Sequence, residues 1–271
     1  GAAHRDRTAR IDGRDAMGRS HPGTWTECFG GAAWNVGVDL AALGRKPVLH
    51  TILGVDAADF TISADEFGLK LEPQPGLAQT ASYSAIVDHT GDLMLAVADM
   101  AIYREFSPKD VPACPTLVVD ANLEPEAIEE LSATAETVVA LAVSAAKAEC
   151  LLPAIENIDV LFANASEVDA IDGLDRLAAV IPLIISSDGG HPLQVIEDGK
   201  AHSFPVPPST IAGDEVGAGD ALVAGFLHRW ADGRTIEDCA HFGIACAQAI
   251  LAVNGPARHD LLQAANESMI P

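Results

Sequence analysis

The order of the apolar segments predicts an α/β protein in which a mostly parallel sheet is covered by helices and carries a small β appendage. Three observations lead there. From residue 117 onward, short β-branched runs alternate with helical patterns, the arrangement that gives parallel strands with helical crossovers. The runs YSAIVD (83–88) and LMLAVAD (93–99) flank the turn His89-Thr90-Gly91-Asp92 as a hairpin with no helix of its own. A glycine turn, Gly217-Ala218-Gly219, opens a run that places Leu222, Phe226 and Trp230 on one row and Val223 and Leu227 on the next, a helix with a buried stripe.

Taken in order, residues 1–31 are rich in Gly and charge and read as loop with short edge strands. Gly30-Gly31 lead into AAWNVGVDLAALG, a helix closed by Gly44. PVLHTIL (47–53) is a strand. After the hairpin, LVVDA (117–121) is a strand, EPEAIEELSATA a helix, and TVVALAV (137–143), IDVLFAN (158–164) and LIISS (183–187) are further strands. Two more strands, around 193–197 and 201–206, precede the 211–230 stretch, and an Ala-rich helix over about 236–251 follows. No repeat or low-complexity linker divides the chain, so 1–271 reads as one domain.

Composition excludes several classes. The 271 residues, 49% of them hydrophobic, are enough to bury a large core. Sixteen Lys+Arg against thirty-nine Asp+Glu give a net charge of −23, which argues against nucleic acid and anionic membranes as partners. A polyanionic cofactor would depend on local dipoles and a bound cation. Five cysteines, an odd number without a CxxC, fit a reducing compartment, and Cys239 and Cys246 read as small core residues. The nine histidines show no metal-ligand spacing. No apolar run reaches spanning length and no signal peptide is expected, so a cytoplasmic location is expected. The start at Gly1 without an initiator Met leaves open a leading segment ahead of it.

The chemistry concentrates at Gly217-Ala218-Gly219-Asp220. The unpaired N–H groups and positive dipole end of a helix start attract an anion such as phosphate, and glycines let backbone approach it closely. A carboxylate beside that hole could take a proton from an attacking hydroxyl, and the pair is what phosphoryl transfer requires. An acid in a first helical turn also serves as a plain dipole or capping residue, so the turn alone leaves both readings open. Asn35, in the first turn after Gly30-Gly31, equally could cap or hold a ligand hydroxyl, and Asp6 on its own reads as a solvated loop charge. There is no GxxxxGK[ST] and no GxSxG, and Leu222 stands where a dinucleotide fingerprint would need its third glycine.

Together these residues carry a resemblance. Gly30-Gly31, Asn35 and Leu43-Gly44 near the start, and Asp214 with Gly217-Ala218-Gly219-Asp220 near the end, resemble the two signatures of the ribokinase-like (PfkB) carbohydrate and nucleoside kinases. Asn164-Ala165-Ser166-Glu167 looks like the family's NxxE motif, and the match runs over nearly the whole chain. Within the family, the segments 96–102, 119–123 and His21-Pro22-Gly23 are most similar to pseudouridine kinases. The resemblance implies a three-layer α/β/α sandwich with a mostly parallel central sheet and a small β-sheet lid, formed from about 7–29 and 81–103.

It also implies roles. Asp220 would be the base that deprotonates the acceptor hydroxyl, with Gly217, Ala218 and Gly219 as its anion hole. Asp6, Gly30, Gly31 and Asn35 match positions that hold sugar hydroxyls. Asn164 and Glu167 match residues that organise Mg²⁺ and phosphates through water. Ser187, Gly189 and Asp214 fall on the nucleotide side. The cofactors implied are ATP and Mg²⁺, with a monovalent cation such as K⁺ a further candidate. The acceptor would be a hydroxymethyl group of a sugar or nucleoside, pseudouridine first. The alternatives are another sugar, such as ribose or fructose, or a non-catalytic binding protein on the same fold. A lid with open edges could pair with a second lid in a homodimer. Three departures stand out: the nucleotide turn reads Ser187-Asp188-Gly189 with Pro192 at its last glycine, Glu215 follows Asp214 where Thr is usual, and Asp56-Ala57-Ala58-Asp59-Phe60 looks shortened.

Overall fold

The β-branched runs after residue 115 form the sheet on which everything else is mounted. The computed structural model describes residues 1–12, 18–208, 216–253 and 257–269. Its strands are β1 (His4–Ile11), β2 (Gly23–Gly30), β3 (Val48–Leu53), β4 (Lys70–Pro75), β5 (Ser82–Val87), β6 (Leu93–Asp99), β7 (Thr116–Asp120), β8 (Thr137–Leu141), β9 (Val160–Asn164), β10 (Leu183–Ser187), β11 (Leu193–Glu197) and β12 (Lys200–Phe204). Its helices are α1 (Ala32–Ala42), α2 (Ala58–Phe67), α3 (Pro125–Ser132), α4 (Ala145–Ala148), α5 (Ala165–Ile171), α6 (Leu174–Leu177), α7 (Ala218–Trp230), α8 (Ile236–Leu251) and α9 (Leu261–Ser268).

The main sheet runs β12-β11-β10-β9-β8-β7. β7 to β10 are parallel, and β11 and β12 add an antiparallel hairpin at one edge. That hairpin turns at Asp198-Gly199, both with positive φ (47° and 74°), which matches the right-handed strand twist. The inner strands are buried on both faces, as apolar runs without alternation require. Alternate residues feed two cores. Val138, Ala140, Leu161 and Ile184 pack with Ile128, Leu131 and Leu151 on one face. Val139, Leu141, Val160, Phe162 and Ile185 pack with α1, α7, α8 and α9 on the other. The result is a three-layer α/β/α fold. α7 and α8 approach closely because a Cβ on Gly225 would meet Cys246 Sγ at 2.7 Å; Cys239 and Cys246 are buried as expected. Among the described residues no helix is long and apolar enough to cross a membrane.

The N-terminal region departs from expectation. Residues 4–11 and 23–30 are full eight-residue strands, and β1 lies inside a second sheet of order β2-β1-β5-β6, antiparallel to β2 and parallel to β5. Their composition is too polar to announce strands, and the pairing register overrides weak propensity. α2 and β4 were equally unannounced: α2 ends on Gly68 in the left-handed region, and β4 pairs in parallel with β3 as a separate two-stranded sheet. β8 stops at Leu141 rather than at 143, because Val143 takes φ 68° in a tight turn closed by Ser144 N–H donating to Ala142 O at 2.8 Å. A cavity of about 950 Å³ lies between β3, β4, β7, α1 and α7, lined by Val36, Leu49, His50, Leu117, Val119 and Trp230.

The segment that looked shortened has a structural task. Arg5, buried on β1, donates to both Asp59 oxygens (2.8 and 2.7 Å), to Asp56 O (2.6 Å) and Oδ2 (3.3 Å), and to Glu27 Oε1 (3.1 Å). Its guanidinium lies 5.1 Å from the Phe60 ring and 5.7 Å from the Phe29 ring. Asp56 Oδ1 in turn accepts from Thr80 N and Oγ1. The clamp fastens the second sheet to α2. The hydrogen bond from Arg5 holds the Asp59 carboxyl below its ordinary range. The stability this contributes is therefore present above the ordinary carboxylate range and is lost as pH falls through the lowered value. Arg5→Met strands these carboxylates and is expected to cost about 2–3 kcal/mol, less than a fully buried pair because Asp59 is half exposed, or about 4–10 °C in Tm at pH 7. The deficit should shrink on acidification; thermal melts from pH 7 to pH 3 in which it stays constant would remove the clamp from the stability account.

Candidate active site

α7 begins at Gly217, whose φ of 84° is the left-handed conformation a glycine adopts without strain. Asp220 occupies the first turn. Around Gly219 the position a Cβ would take is open, so backbone there is accessible to a ligand. Asp214 and Glu215 lie outside the described residues.

A cavity of about 220 Å³ opens beside this turn. Asn164, Glu167, Ser187, Gly219 and Asp220 line it together with the apolar Phe162, Ile185, Leu222 and Val223. Topology explains the gathering: Asn164 and Ser187 end the adjacent parallel strands β9 and β10 in direct register, at the carboxyl edge where open α/β sheets place ligands. Asn164 caps α5. Its Oδ1 accepts from Glu167 N (3.0 Å), while Glu167 Oε2 accepts from Asn164 N (2.8 Å) and Oε1 from Asn164 Nδ2 (2.8 Å). Both Glu167 oxygens are thereby engaged, and burial pushes its carboxyl up from its ordinary value. Among the described residues no Lys or Arg lines this cavity, so its positive potential there comes from backbone N–H groups. Gly189 (φ 53°) is exposed in the following turn and is not among the lining residues. Val143 lines the cavity too; its positive φ is a costly conformation for a β-branched side chain.

The second group of expected residues meets the first at Asp220. Asn35 Nδ2 donates to Asp220 Oδ2 at 2.7 Å, joining α1 to α7 across the layer. Burial raises the Asp220 carboxyl to about 7; the Asn35 hydrogen bond opposes the shift, and the charges of Asp120 and Asp6 add to it. Asp6 pairs with His4 at 3.2 Å, on β1 rather than in a loop. A Cβ on Gly30 would sit 2.0 Å from Asp6 Oδ2 and displace that side chain, whereas Gly31 (φ 104°) is required because one there would sit 2.5 Å from Ala2 O. Asp120, which the residue pattern did not single out as functional, ends β7. Its Oδ2 accepts from Ala2 N (2.7 Å) and Ala33 N (3.2 Å), and its Oδ1 from Asn122 N (2.9 Å). An acid at the carboxyl end of a parallel strand was the available signal.

Comparison with known proteins gives the family and the fold. Residues 1–261 match the pfkB family carbohydrate kinases. The chain belongs to this family. It is 25% identical over 260 residues to the pseudouridine kinase of Escherichia coli (strain K12), covering 86% of this chain and 83% of that one. Among solved structures it resembles a carbohydrate kinase from Agrobacterium tumefaciens (28% identity, TM-score 0.86, covering 98% of this chain and 94% of that chain). It shares the fold of the ribokinase from Thermotoga maritima (18% identity, TM-score 0.85, covering 98% and 97%). The pfkB kinase is thus a sugar or nucleoside kinase, and the family implies ATP as phosphoryl donor.

The raised Asp220 carboxyl has a stability consequence. The fold favours the neutral acid, so the stability it contributes is complete below 3.8, its ordinary value, and is lost as pH rises through about 7. Asp220→Asn should therefore melt close to the parent at pH 4 and above it at pH 8. Equal melting-point differences at the two pH values would mean that Asp220 is not shifted upward.

Proposed function

We propose that this kinase transfers the ATP γ-phosphoryl group, with Mg²⁺, to a hydroxymethyl group of a ribosyl compound, pseudouridine first. The observation that carries the reading is the Asn35–Asp220 hydrogen bond. It joins a cluster suited to sugar hydroxyls to a glycine turn suited to phosphate, with a buried acid of pKa about 7 at the junction. When bound, ATP supplies the phosphoryl group and Mg²⁺ spreads its charge.

The chain's own residues do the rest. Asp220, once ionised, takes the proton from the acceptor hydroxyl. Asn35 holds one of its oxygens, leaving the other for that hydroxyl. The N–H groups of Gly217, Ala218 and Gly219 meet the charge that develops on the transferred group. Asp6 and the backbone at Gly30 and Gly31 hold ribose hydroxyls, a role supported by the close approach of Asp6 to Gly30 and by the reach of the Asp6 charge to Asp220. Asn164 and Glu167 fit a metal–phosphate unit held through water, because Glu167 is already committed to Asn164, and among the described residues no cluster of three or more His, Cys, Asp or Glu side chains is placed to hold a metal. Ser187 on the nucleotide side and a monovalent cation such as K⁺ complete the reading, with Gly189 only shaping the turn.

The β2-β1-β5-β6 sheet is the lid that excludes water over the sugar. Its edge strand β6 exposes Leu93, Leu95 and Val97 on one face, and Trp25 on β2 is exposed as well. That apolar stripe supports pairing of two lids in a homodimer. Sedimentation velocity should find a dimer that Leu95→Glu converts to monomer; an unaltered parent monomer would remove this part.

Asp220→Asn should bind acceptor normally and lower kcat by at least ~10²-fold, while the parent kcat/KM falls about tenfold per unit on the acid side of pH 7. For the acceptor, kcat/KM is compared for pseudouridine, uridine, ribose, fructose and 2′-deoxy analogues. The 25% identity to a pseudouridine kinase supports the base preference. Loss of the 2′-hydroxyl should cost about 0.5–1.5 kcal/mol. Preference for fructose over every ribosyl compound would sink the ribosyl assignment and leave the broader sugar-kinase activity.

A further inference from the structure

The site contains a buried acid that the reaction described above does not use. Asp39 lies on α1 one turn beyond Asn35 and is 0% exposed. Neither of its carboxyl oxygens has a hydrogen-bond partner among the described residues, and Oδ1 of Asn35 is likewise buried and unpartnered among them. Residues four apart on a helix face the same way, with Cβ atoms about 5–6 Å apart, so the two side chains are neighbours. Asn35 has already committed its Nδ2 to Asp220. What it lacks is a donor for its oxygen.

Among the described residues, the groups that bear on Asp39 supply no cation. Asn35 is one turn back on its own helix, the charge of Asp220 on α7 reaches it, and on α8 it lies within electrostatic reach of Cys246, which Arg229 also reaches. An ionised carboxylate there, unpaired and without a donor, would cost several kcal/mol. A neutral acid carries one O–H donor, and the Asn35 oxygen one turn away is an acceptor in need of one. One proton satisfies both unpartnered groups. Burial accordingly pushes the Asp39 carboxyl well above its ordinary range, with the Asp220 charge adding to the shift.

We propose that Asp39 is a positioning residue: its carboxyl O–H donates to Asn35 Oδ1 and fixes the amide so that Nδ2 is aimed at Asp220. Without that bond the amide of Asn35 is free to turn its oxygen toward the Asp220 carboxylate, which repels it and releases the oxygen that Asn35 now holds. The inference rests on the reading of Asp220 as the base, but its first test does not. Isotope-edited infrared spectroscopy of the full chain at pH 8 should find one protonated-carboxyl C=O band that disappears in Asp39→Asn. If that band is absent from the parent, or survives in Asp39→Asn, the proposal fails whatever the role of Asp220.

Kinetics give the second test. Asp39→Asn presents an amide N–H to the same oxygen and should keep kcat and the acid limb of kcat/KM, while Asp39→Ala leaves Asn35 unanchored and should lower kcat by ~10–10²-fold with little change in acceptor KM. If Asp39→Asn instead moves the acid limb to lower pH, a charge has been removed, Asp39 was ionised and the proposal is overturned. Normal kcat in Asp39→Ala would overturn it equally. Should Asp39→Ala fail to fold, the infrared band and the Asp39→Asn profile still decide. Failure of Asp220→Asn to slow the reaction would instead strike the base assignment alone.

Discussion

The carboxylate of Asp120 is the joint on which the site depends. It stands at the carboxyl end of β7, fully buried, and accepts three backbone N–H groups from three different segments. Ala2 leads into β1 and so into the small sheet; Ala33 is in the first turn of α1; Asn122 opens the connection to α3. A buried anion is tolerated where several N–H dipoles converge, and the N-terminus of α1 adds its own field. The main sheet, the small sheet and the helix that carries Asn35 are therefore fixed to one another through two oxygens. The same charge bears on Asp220 and helps to hold it near neutrality.

Acidity runs through the rest of the chemistry. A chain of net charge −23 has little long-range attraction for a nucleotide, and among the described residues no Lys or Arg lines the cavity beside Asp220. The proposed binding is therefore local, from helix N–H groups at close range and from a cation that would arrive with the phosphates. Asp220 itself is placed against the interest of stability if it is the proposed base, since the fold prefers it neutral and that role requires it charged. Sites of this kind sit where stability is given up for activity. Val143, held at positive φ beside the same cavity, fits that pattern.

Much of this was legible in the residues. Alternating strands and helices announced the layered body, and Gly217-Ala218-Gly219-Asp220 announced a helix start with an acid in it. The run 222–230 folded as the expected helix, but Ala221 to Leu227 are all buried and Trp230 only partly, so the helix is enclosed by neighbours on every side rather than along one stripe. β1 and β2 were legible only as short edge strands in a loop: the charges of HRDRTARI hid that β1 is a full strand inside the sheet, although Thr24, Trp25, Thr26 and Phe29 in β2 favour strand. α2 was hidden because its segment was read as a motif with residues missing, when Asp56 and Asp59 are in fact partners for Arg5, about fifty positions earlier. Asp39 was hidden for another reason. A single acid in an apolar helical stripe looks like a surface residue until the packing places α7 and α8 over it. The nucleotide turn divided, with Ser187 lining the cavity and Gly189 outside it, because strand register fixes the first and only local turn geometry fixes the second.

The way β1 leaves the core has a mechanical consequence. Ala2 and Ala3 are fully buried, and Tyr103 OH donates to Ala3 O at 3.0 Å, so the strand is anchored at its root. Asp6 comes three residues later, whereas Ile11 at the far end stands about 17 Å beyond it at strand rise. Under the proposed lid motion, the small sheet is a lever and Asp6 is close to its fulcrum. A swing that carries the tip through many ångströms displaces Asp6 and Gly30 very little. The hydroxyl contacts can then form while the sheet is still open and persist as it shuts, and the tip alone bears the travel.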